Sequence, residues 1–242
     1  MNRTRSSTVG VTPVIDVMRA VEAPKPVLPR GREAEFTDRQ REILDELGQV
    51  VFADGYLDLT MADLAARLNC SLRTLYALAN SRNELVMIVI DRVLRGHGRA
   101  AHSAIQPDMT ALAAIRAYLH AANKAVTAIT PAFAADTSAT PEGVALHDAH
   151  SRYLIDVTER LLRLAVERNE IRGGPAGRSL NTAALARMLG GLGRDFARPD
   201  VMTTLSEPPD RSANAMVDLV IDALAGAVGS SDIALARQGT GR

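Results

Sequence analysis

The residues whose types and spacing best suit a chemical task lie between positions 60 and 82. Thr60 precedes Asp63 by three residues, a variant of the capping box in which a hydroxyl and a carboxylate satisfy the free amides at the start of a helix. This pattern predicts a helix over 61–68. Asn69 tolerates the left-handed backbone of a tight turn, and Ser71 is suited to cap a second helix. The sequence therefore predicts two short helices that meet across a tight turn.

The second of these short helices should present its first turn to the outside. Leucines of both helices can form a miniature core with the preceding helix, and small Ala65 lets the two helices cross closely: Leu64, Leu68 and Leu75. The residues left facing outward are then Ser71, Leu72, Arg73 and Ala77, with Leu78 as a further candidate. An arginine fork can bind the edge of a guanine, and apolar side chains can contact a thymine methyl group. The segment is therefore suited to reading the major groove of DNA, with Arg73 as the main reader of bases.

Other chemistries have weaker support. No glycine-rich phosphate loop, nucleophile elbow or pair of zinc-finger cysteines occurs in the sequence, so we expect neither an enzyme nor a cofactor. His147 and His150 have a spacing that could supply part of a metal site, but surface or pocket histidines are commoner and no metal is predicted. Oxidation of Cys70, in the turn before the second short helix, could disturb DNA docking; a small buried apolar side chain is the commoner role.

The composition favours a globular protein. Hydrophobic residues make up 47% of the 242 residues and charged residues 23%, which excludes a disordered or fibrous chain. The 28 basic and 28 acidic residues balance, which argues mildly against a DNA-binding protein unless the basic residues share one face. Only Lys25 and Lys124 are lysines, so phosphate contacts must come from arginines or neutral donors. The longest apolar run, 85–90, is too short for a membrane span and a single cysteine forms no internal disulfide, so we expect a cytoplasmic protein.

Changes in composition divide the chain into four segments. Residues 1–36 carry prolines, small polar residues and several arginines, which predicts a flexible arm; the alternative is an arginine arm that touches DNA. Residues 37–82 form the predicted DNA-binding domain, whose first helix extends to Gly55. Residues 83–228 form a larger helical body, and residues 229–242 a C-terminal tail. No segment has the two-residue period of a strand, so the predicted fold class is all-α.

The limits of the body's helices follow from capping residues, prolines and glycines. The predicted helices cover 82–103, 108–130, 140–173, 179–197 and 210–228. Pro131 and several small polar residues predict a loop over 131–140, with at most one turn of helix.

One set of residues has a joint spacing that a chance helical hairpin would rarely show. Its members are Val51, Phe52, Gly55, Tyr56, Thr60, Leu64, Ala65, Ser71, Thr74, Leu75, Tyr76, Arg82 and Leu85. This block resembles the N-terminal domain of the tetracycline-repressor (TetR) family of transcriptional regulators. The resemblance implies a three-helix helix-turn-helix domain whose phosphate contacts are Thr60, Thr74, Tyr76 and Arg82. The chain departs from the family at 77–79, where aromatic residues are usual, and at Arg82, where lysine is usual, so the operator sequence is not transferable.

The same resemblance implies a homodimer formed through the last two helices of each subunit. Apolar stripes run along both helices, namely Leu185, Met188, Leu189, Leu192 and Phe196, then Met216, Val217, Val220, Ile221 and Leu224. Gly190, Gly191 and Gly193 would let helices of two subunits approach closely. The alternative is that the stripes pack inside one subunit. A dimer would span two half-sites of a pseudo-palindromic operator, about 34–36 Å apart.

The resemblance also implies an effector site in the body. Candidate lining residues, each more often plain core, are His120, Phe133, His150 and Tyr153. The aromatic content of 3% favours a hydrophobic effector over a planar one that stacks. The sequence therefore predicts a ligand-responsive repressor that binds double-stranded operator DNA as a dimer and is released by a small molecule. The alternatives are an effector-independent DNA-binding regulator or architectural protein, and a helical enzyme or adaptor with a relict hairpin.

Overall fold

The computed structural model describes residues 13–171 and 180–238, and both ranges are helical without any strand. The N-terminal part contains α1 (Val14–Arg19), α2 (Arg30–Ala34), α3 (Asp38–Asp54), α4 (Met61–Arg67) and α5 (Leu72–Leu78). The body contains α6 (Arg82–Ser103), α7 (Ala111–Lys124), α8 (Pro131–Ala139), α9 (Pro141–Glu167), α10 (Thr182–Phe196), α11 (Pro199–Met202) and α12 (Pro209–Gln238). The predicted all-α fold class is confirmed.

Local signals set the limits of the helices that lead to the site. Thr37 and Gln40 form a capping box at the start of α3, which ends where Gly55 adopts a φ of 80°. The side chain of Ser81 accepts a hydrogen bond from the amide of Glu84 and caps α6. The predicted limits of α3 and α6 are thereby confirmed.

Two hydrophobic cores organise the chain. The first joins α3, α4 and α5, here called the three-helix unit, to the first half of α6 and to Phe133 of α8. Its fully buried side chains include Ile43, Leu44, Leu47, Leu64, Leu75, Leu78 and Leu85. The second core lies within the body, where α7, α9, α10 and α12 pack together with α1 and the end of α6. Since α6 contributes to both cores, it connects the three-helix unit to the body.

The predicted flexible arm is wrong for residues 13–36, the part of it that the structure describes. Val14 and Met18, four positions apart on α1, are buried in the core of the body, where α1 packs on α9. Apolar residues at this helical spacing bury surface on one face, and that burial outweighs the loosening effect of the nearby prolines. Residues 1–12 of the predicted arm lie outside the described residues.

An extended stretch then connects α1 to α2 along the side of α6. The amide of Val27 donates to Oδ2 of Asp91 at 3.0 Å, and Nη2 of Arg95 donates to the carbonyl of Pro24 at 2.7 Å. Because prolines restrict the backbone of this stretch, they favour a fixed extended path here rather than a mobile one.

The stretch predicted as a loop at 131–140 is the helix α8. Thr130 caps it by accepting a hydrogen bond from the amide of Phe133, and Pro131 occupies the first turn, where its missing N–H costs nothing. The predicted loop is wrong because a proline that would break the middle of a helix is well accommodated at its first position.

Several helix limits also differ from the predictions. The helix α7 covers Ala111–Lys124 rather than 108–130, because residues 125–128 form a short 3-10 helix. The helix α9 ends at Glu167 rather than at 173, because Asn169 adopts a left-handed φ of 58° and the amide of Glu170 bonds back to the carbonyl of Ala165 at 2.8 Å. The helix α12 continues to Gln238, into the segment predicted as a tail. The run Ala234, Leu235 and Ala236 consists of strong helix formers and favours continuation.

Candidate nucleic-acid interface

The helices α4 and α5 form a helix-turn-helix whose turn is fixed by backbone hydrogen bonds. Asn69 adopts a left-handed φ of 45°, as predicted, and the amide of Cys70 donates to the carbonyl of Ala65 at 3.0 Å. At the start of α4, Oγ1 of Thr60 accepts from the amide of Asp63 at 3.2 Å, while Oδ2 of Asp63 accepts from the amide of Thr60 at 2.9 Å. The hydrogen bonds from Thr60 lower the pKa of the Asp63 carboxyl. The predicted capping box is confirmed.

The helix α5 directs one face inward and the other to solvent. Ser71 caps it by accepting from the amide of Thr74 at 3.1 Å, and the two hydroxyls lie 2.8 Å apart. Leu75 and Leu78 are buried, so Leu78 does not face outward as the sequence suggested, because its side chain packs in the core of the three-helix unit. The side chains of Leu72 and Tyr76 are 45% and 54% exposed. The exposed face of α5 is formed by Leu72, Arg73, Tyr76 and Ala77, with Ser71 at its start and half-buried Thr74 beside it. The structure thus places these six predicted residues along one short helix, five of them exposed and Thr74 half-buried.

Arg73 is the one cation within α5, and it has no ion-pair partner in the part of the chain that the structure describes. The other arginines of the three-helix unit have ion-pair partners instead. Arg67 forms an ion pair with Asp54, and Arg39 pairs with Glu42 and Glu46, both at 3.1 Å. The guanidinium donors of Arg73 are therefore left for a ligand.

Arg82 occupies a different position from the other predicted phosphate contacts. Its Nε donates to the carbonyl of Leu59 at 2.8 Å, and its guanidinium carbon lies 5.8 Å from the centre of the Tyr56 ring. Its Nη2 is buried with no acceptor among the described residues. The side chain is thus directed toward the loop before α4.

Cys70 is partly buried and packs on the core of the three-helix unit. Burial raises the pKa of its thiol, which lowers the fraction of reactive thiolate. The environment favours the structural role of Cys70 over the redox alternative.

The four candidate effector-lining residues lie in separate places. Phe133 belongs to the core of the three-helix unit, where its ring stacks on Phe52 with centroids 4.1 Å apart. Nε2 of His120 lies 3.0 Å from Oδ1 of Asp218, between α7 and α12. The other two, on α9, face α6 with different partners. The structure does not bring the four residues around one cavity.

His150 is part of a hydrogen-bonded cluster of polar side chains between α6 and α9. Its Nε2 lies 2.9 Å from Oδ1 of Asp91, and Oδ2 of Asp91 accepts from Nε of Arg95 at 2.8 Å and from the amide of Val27. Burial alone would raise the pKa of Asp91, but the hydrogen bonds from His150, Arg95 and Val27 outweigh it and lower that pKa. His147 has a separate neighbour, Ser151, and no metal-binding group of three or more ligands occurs among the described residues.

Tyr153 belongs to an aromatic cluster that sequence reasoning missed. Its hydroxyl lies 2.8 Å from Nε2 of His102, the two rings stack, and Tyr118 meets His102 edge to face. Burial lowers the pKa of His102 and raises that of Tyr153. The cluster joins α6, α7 and α9, so no local spacing in the sequence indicates it.

A cleft of about 310 Å³ opens on the surface beside α9. Its lining is mostly charged and comprises Ala20, Val21, Glu22, Asp156, Glu159, Arg160 and Arg163. None of the candidate effector residues lines it. A membrane-crossing helix is also absent from the described residues, since none combines the required length with sufficient apolar character.

The apolar stripes of α10 and α12 divide between two environments. Leu189, Val217 and Ile221 are buried inside the subunit. This part of the stripes fits the alternative in which they pack within one subunit. Large side chains of the same helices are nevertheless exposed: Met188 at 49%, Met216 at 40% and Leu219 at 63%. Gly190 faces α9, because a Cβ there would lie 3.0 Å from Ile155. The close approach that this glycine allows is thus within the subunit.

Comparisons with known proteins give structural matches. No family model matches the sequence, and no curated protein is significantly similar to it. A TetR transcription regulator from Haloarcula marismortui is 15% identical with a TM-score of 0.62, over 78% of this chain and 99% of that one. The TetR-family regulator PfmR from Thermus thermophilus is 22% identical with a TM-score of 0.53, over 74% of this chain and 97% of that one.

A third match has a bound small molecule. This protein from Saccharomonospora viridis, described as a transcriptional regulator and solved in complex with choline, is 15% identical with a TM-score of 0.60, over 76% of this chain and 95% of that one. Structural neighbours across most of the chain are thus TetR-family transcriptional regulators. At these identities the likeness establishes a shared fold.

Proposed function

We propose that this chain is a TetR-family transcriptional regulator that binds operator DNA through the exposed face of α5. The observation that carries the proposal is the geometry of α5, whose buried leucines hold Arg73 and Tyr76 outward at the end of a helix-turn-helix. A recognition helix uses this arrangement to insert its first turns into the major groove.

The individual contacts follow from the chemistry of the exposed side chains. Arg73 reads a guanine through two parallel hydrogen bonds, while Leu72 and Ala77 contact thymine methyl groups. The hydroxyl of Tyr76 and one hydroxyl of the Ser71–Thr74 pair donate to phosphates, and Thr60, whose hydroxyl donates to Asp63 in the free protein, exchanges that partner for a phosphate. These contacts fix the register without reading sequence. Between 37 and 95 there are seven arginines and nine acidic residues, so the affinity should fall with salt more gently than for a strongly basic protein.

A homodimer formed through α10 and α12 would present two copies of α5. Met188, Met216 and Leu219 are the support for this step, because a monomer seldom leaves several large apolar side chains on one pair of neighbouring helices. Two copies related by a twofold axis match a pseudo-palindromic operator.

A small hydrophobic effector would release the repressor by favouring a body conformation with poor DNA affinity. Two observations support this step: the solved protein with choline has the same fold, and the Tyr153–His102–Tyr118 cluster places polar groups inside the body. An effector-independent regulator is the second candidate. It is favoured because the four candidate effector residues each contact a different partner and do not line one cavity: His120, Phe133, His150 and Tyr153.

Selection of bound duplexes from a random pool tests the function. We expect an enriched palindrome, and Arg73→Ala should weaken binding to it by about 1–3 kcal/mol, or about 5- to 150-fold, and relax specificity at one base pair. Arg163→Ala is the control, since that exposed arginine lies on α9. An unenriched pool, or equal affinities of both variants, would refute the proposal. A thermal-shift screen with small apolar molecules and choline separates the two candidates, because only the effector-responsive regulator is stabilised.

A further inference from the structure

The loop between α3 and α4, residues 55–59, is held by a carboxylate from the body. Oδ2 of Asp136, on α8, accepts hydrogen bonds from the amides of Tyr56 and Leu57, the latter at 2.9 Å. The carboxylate lies so close to Gly55 that a Cβ there would be 2.6 Å from the same oxygen. Backbone amides that point to one acceptor fix the path of the loop more tightly than side-chain contacts would.

The other end of this loop is held by Arg82 of α6. Its Nε donates to the carbonyl of Leu59, and its guanidinium lies against the ring of Tyr56, which is itself fully buried. The buried Nη2 cannot reach a phosphate without a change of side-chain conformation. Two of the three guanidinium nitrogens, Nε and Nη2, are therefore turned into the protein.

We propose that Arg82 and Asp136 are positioning residues that fix the loop 55–59 and thereby the start of α4, and that Arg82 does this instead of binding a phosphate. The inference rests on the proposed function for its meaning in DNA binding. Thr60 follows the loop directly and α4 packs on α5, so a displaced loop displaces the exposed face of α5 as well.

The charge of Asp136 makes the inference testable. If electrostatics alone governed DNA binding, Asp136→Ala would remove a negative charge and strengthen it. If the carboxylate positions the loop, the same variant weakens binding, because the helix-turn-helix must then be ordered on the DNA at an entropic cost. The two accounts therefore predict opposite changes in DNA affinity for Asp136→Ala.

The experiment measures affinity for the selected palindrome between about 50 and 200 mM salt for the full chain and its variants. We expect Asp136→Ala and Arg82→Ala each to weaken binding at least about tenfold, with the slope of log K against log salt unchanged. Arg82→Lys keeps the charge but not the contacts with Leu59 and Tyr56, so it should not restore affinity. Arg73→Ala, which removes the proposed contact with a guanine, is the matched control: it should relax specificity at one base pair, whereas the two anchor variants should weaken binding to all sequences alike.

Hydrogen exchange gives a readout that does not need DNA. The amides of Tyr56 and Leu57 should exchange faster in Asp136→Ala, while Asp136→Asn, which keeps an acceptor oxygen, should restore part of the protection. A salt slope lowered by about 1 in Arg82→Ala, with binding restored by Arg82→Lys, would assign Arg82 to a phosphate and overturn the inference. If the unmodified chain binds no DNA, the proposed function fails, whereas faster loop exchange in both alanine variants would still support the two anchors.

Discussion

The ring of Phe133 stacks on the ring of Phe52, with centroids 4.1 Å apart and planes 18° apart. Phe133 belongs to α8 and Phe52 to α3, so this contact joins the body to the three-helix unit. Thr130 adds a hydrogen bond from its hydroxyl to the carbonyl of Phe52 at 2.8 Å. The predicted effector residue Phe133 is thus a structural link between the two parts.

Phe133→Ala should lower the free energy of unfolding by about 3–5 kcal/mol, because it leaves a cavity at a site only 2% exposed. Val144→Ala on α9 is the control: its side chain is 41% exposed, and a change within about 0.5 kcal/mol is expected. Urea denaturation checks both values. Equal midpoints for the two variants would contradict the structural role of Phe133.

Replacing two glycines by alanine should change the stability of the protein in opposite directions. Gly55 has φ 80° and ψ −169°, a region that other residues avoid, and Asp136 occupies the space for a Cβ, so Gly55→Ala should destabilise by about 1–3 kcal/mol. Gly98 lies within α6 with nothing near its missing Cβ, so Gly98→Ala should stabilise by up to about 1 kcal/mol. Thermal unfolding of both variants measures the signs, and a stabilising Gly55→Ala would be inconsistent with the loop geometry.

The N-terminal helix α1 should contribute to the stability of the body. Met18 is only 2% exposed, so Met18→Ala should cost about 2–5 kcal/mol. The neighbouring Arg19→Ala should change little, since that side chain is 78% exposed. If both variants unfold at the same denaturant concentration, α1 does not dock as described.

Leu219→Asp should disrupt the proposed dimer. The twofold axis would bring two buried carboxylates into one interface, and we expect dimerisation to weaken at least about a hundredfold, or about 2.7 kcal/mol. Val144→Asp places the same charge on α9 and serves as the control. Analytical ultracentrifugation at micromolar concentration compares the dimerisation of the two variants. An unchanged dimer in Leu219→Asp would show that the interface does not include Leu219.

Stability should fall as the pH is lowered below about 6.5. Burial lowers the pKa of His97, His102 and His147 below that of an unfolded histidine, about 6.5. The unfolded chain then binds protons first, so stability is complete above about pH 6.5 and declines as the pH falls toward the folded pKa values.

His147 offers a single-residue test of this pH dependence. Its pKa is lowered by burial and further by the charge of Arg194, whereas Asp148 opposes the shift. His147→Gln should therefore flatten the decline in urea midpoint between about pH 7.5 and 5. A decline as steep as that of the unmodified chain would assign the pH dependence to other groups.

The sequence by itself determined the elements that depend on neighbours a few positions apart. The Thr60–Asp63 capping box, the left-handed Asn69 and the cap at Ser71 each involve contacts within one helical turn, so residue type and spacing were sufficient to locate α4 and α5. The outward face of α5 followed from the same periodicity.

Only the tertiary structure decided the contacts between residues far apart along the chain. Asp136 meets Leu57 across 79 positions, and Tyr153 meets His102 across 51. No local periodicity encodes such pairs, because they depend on how whole helices pack. For the same reason the docking of α1 and the inward direction of Arg82 could not be read from composition or spacing: burial against a distant helix outweighs the local preferences for a flexible arm and an exposed charge.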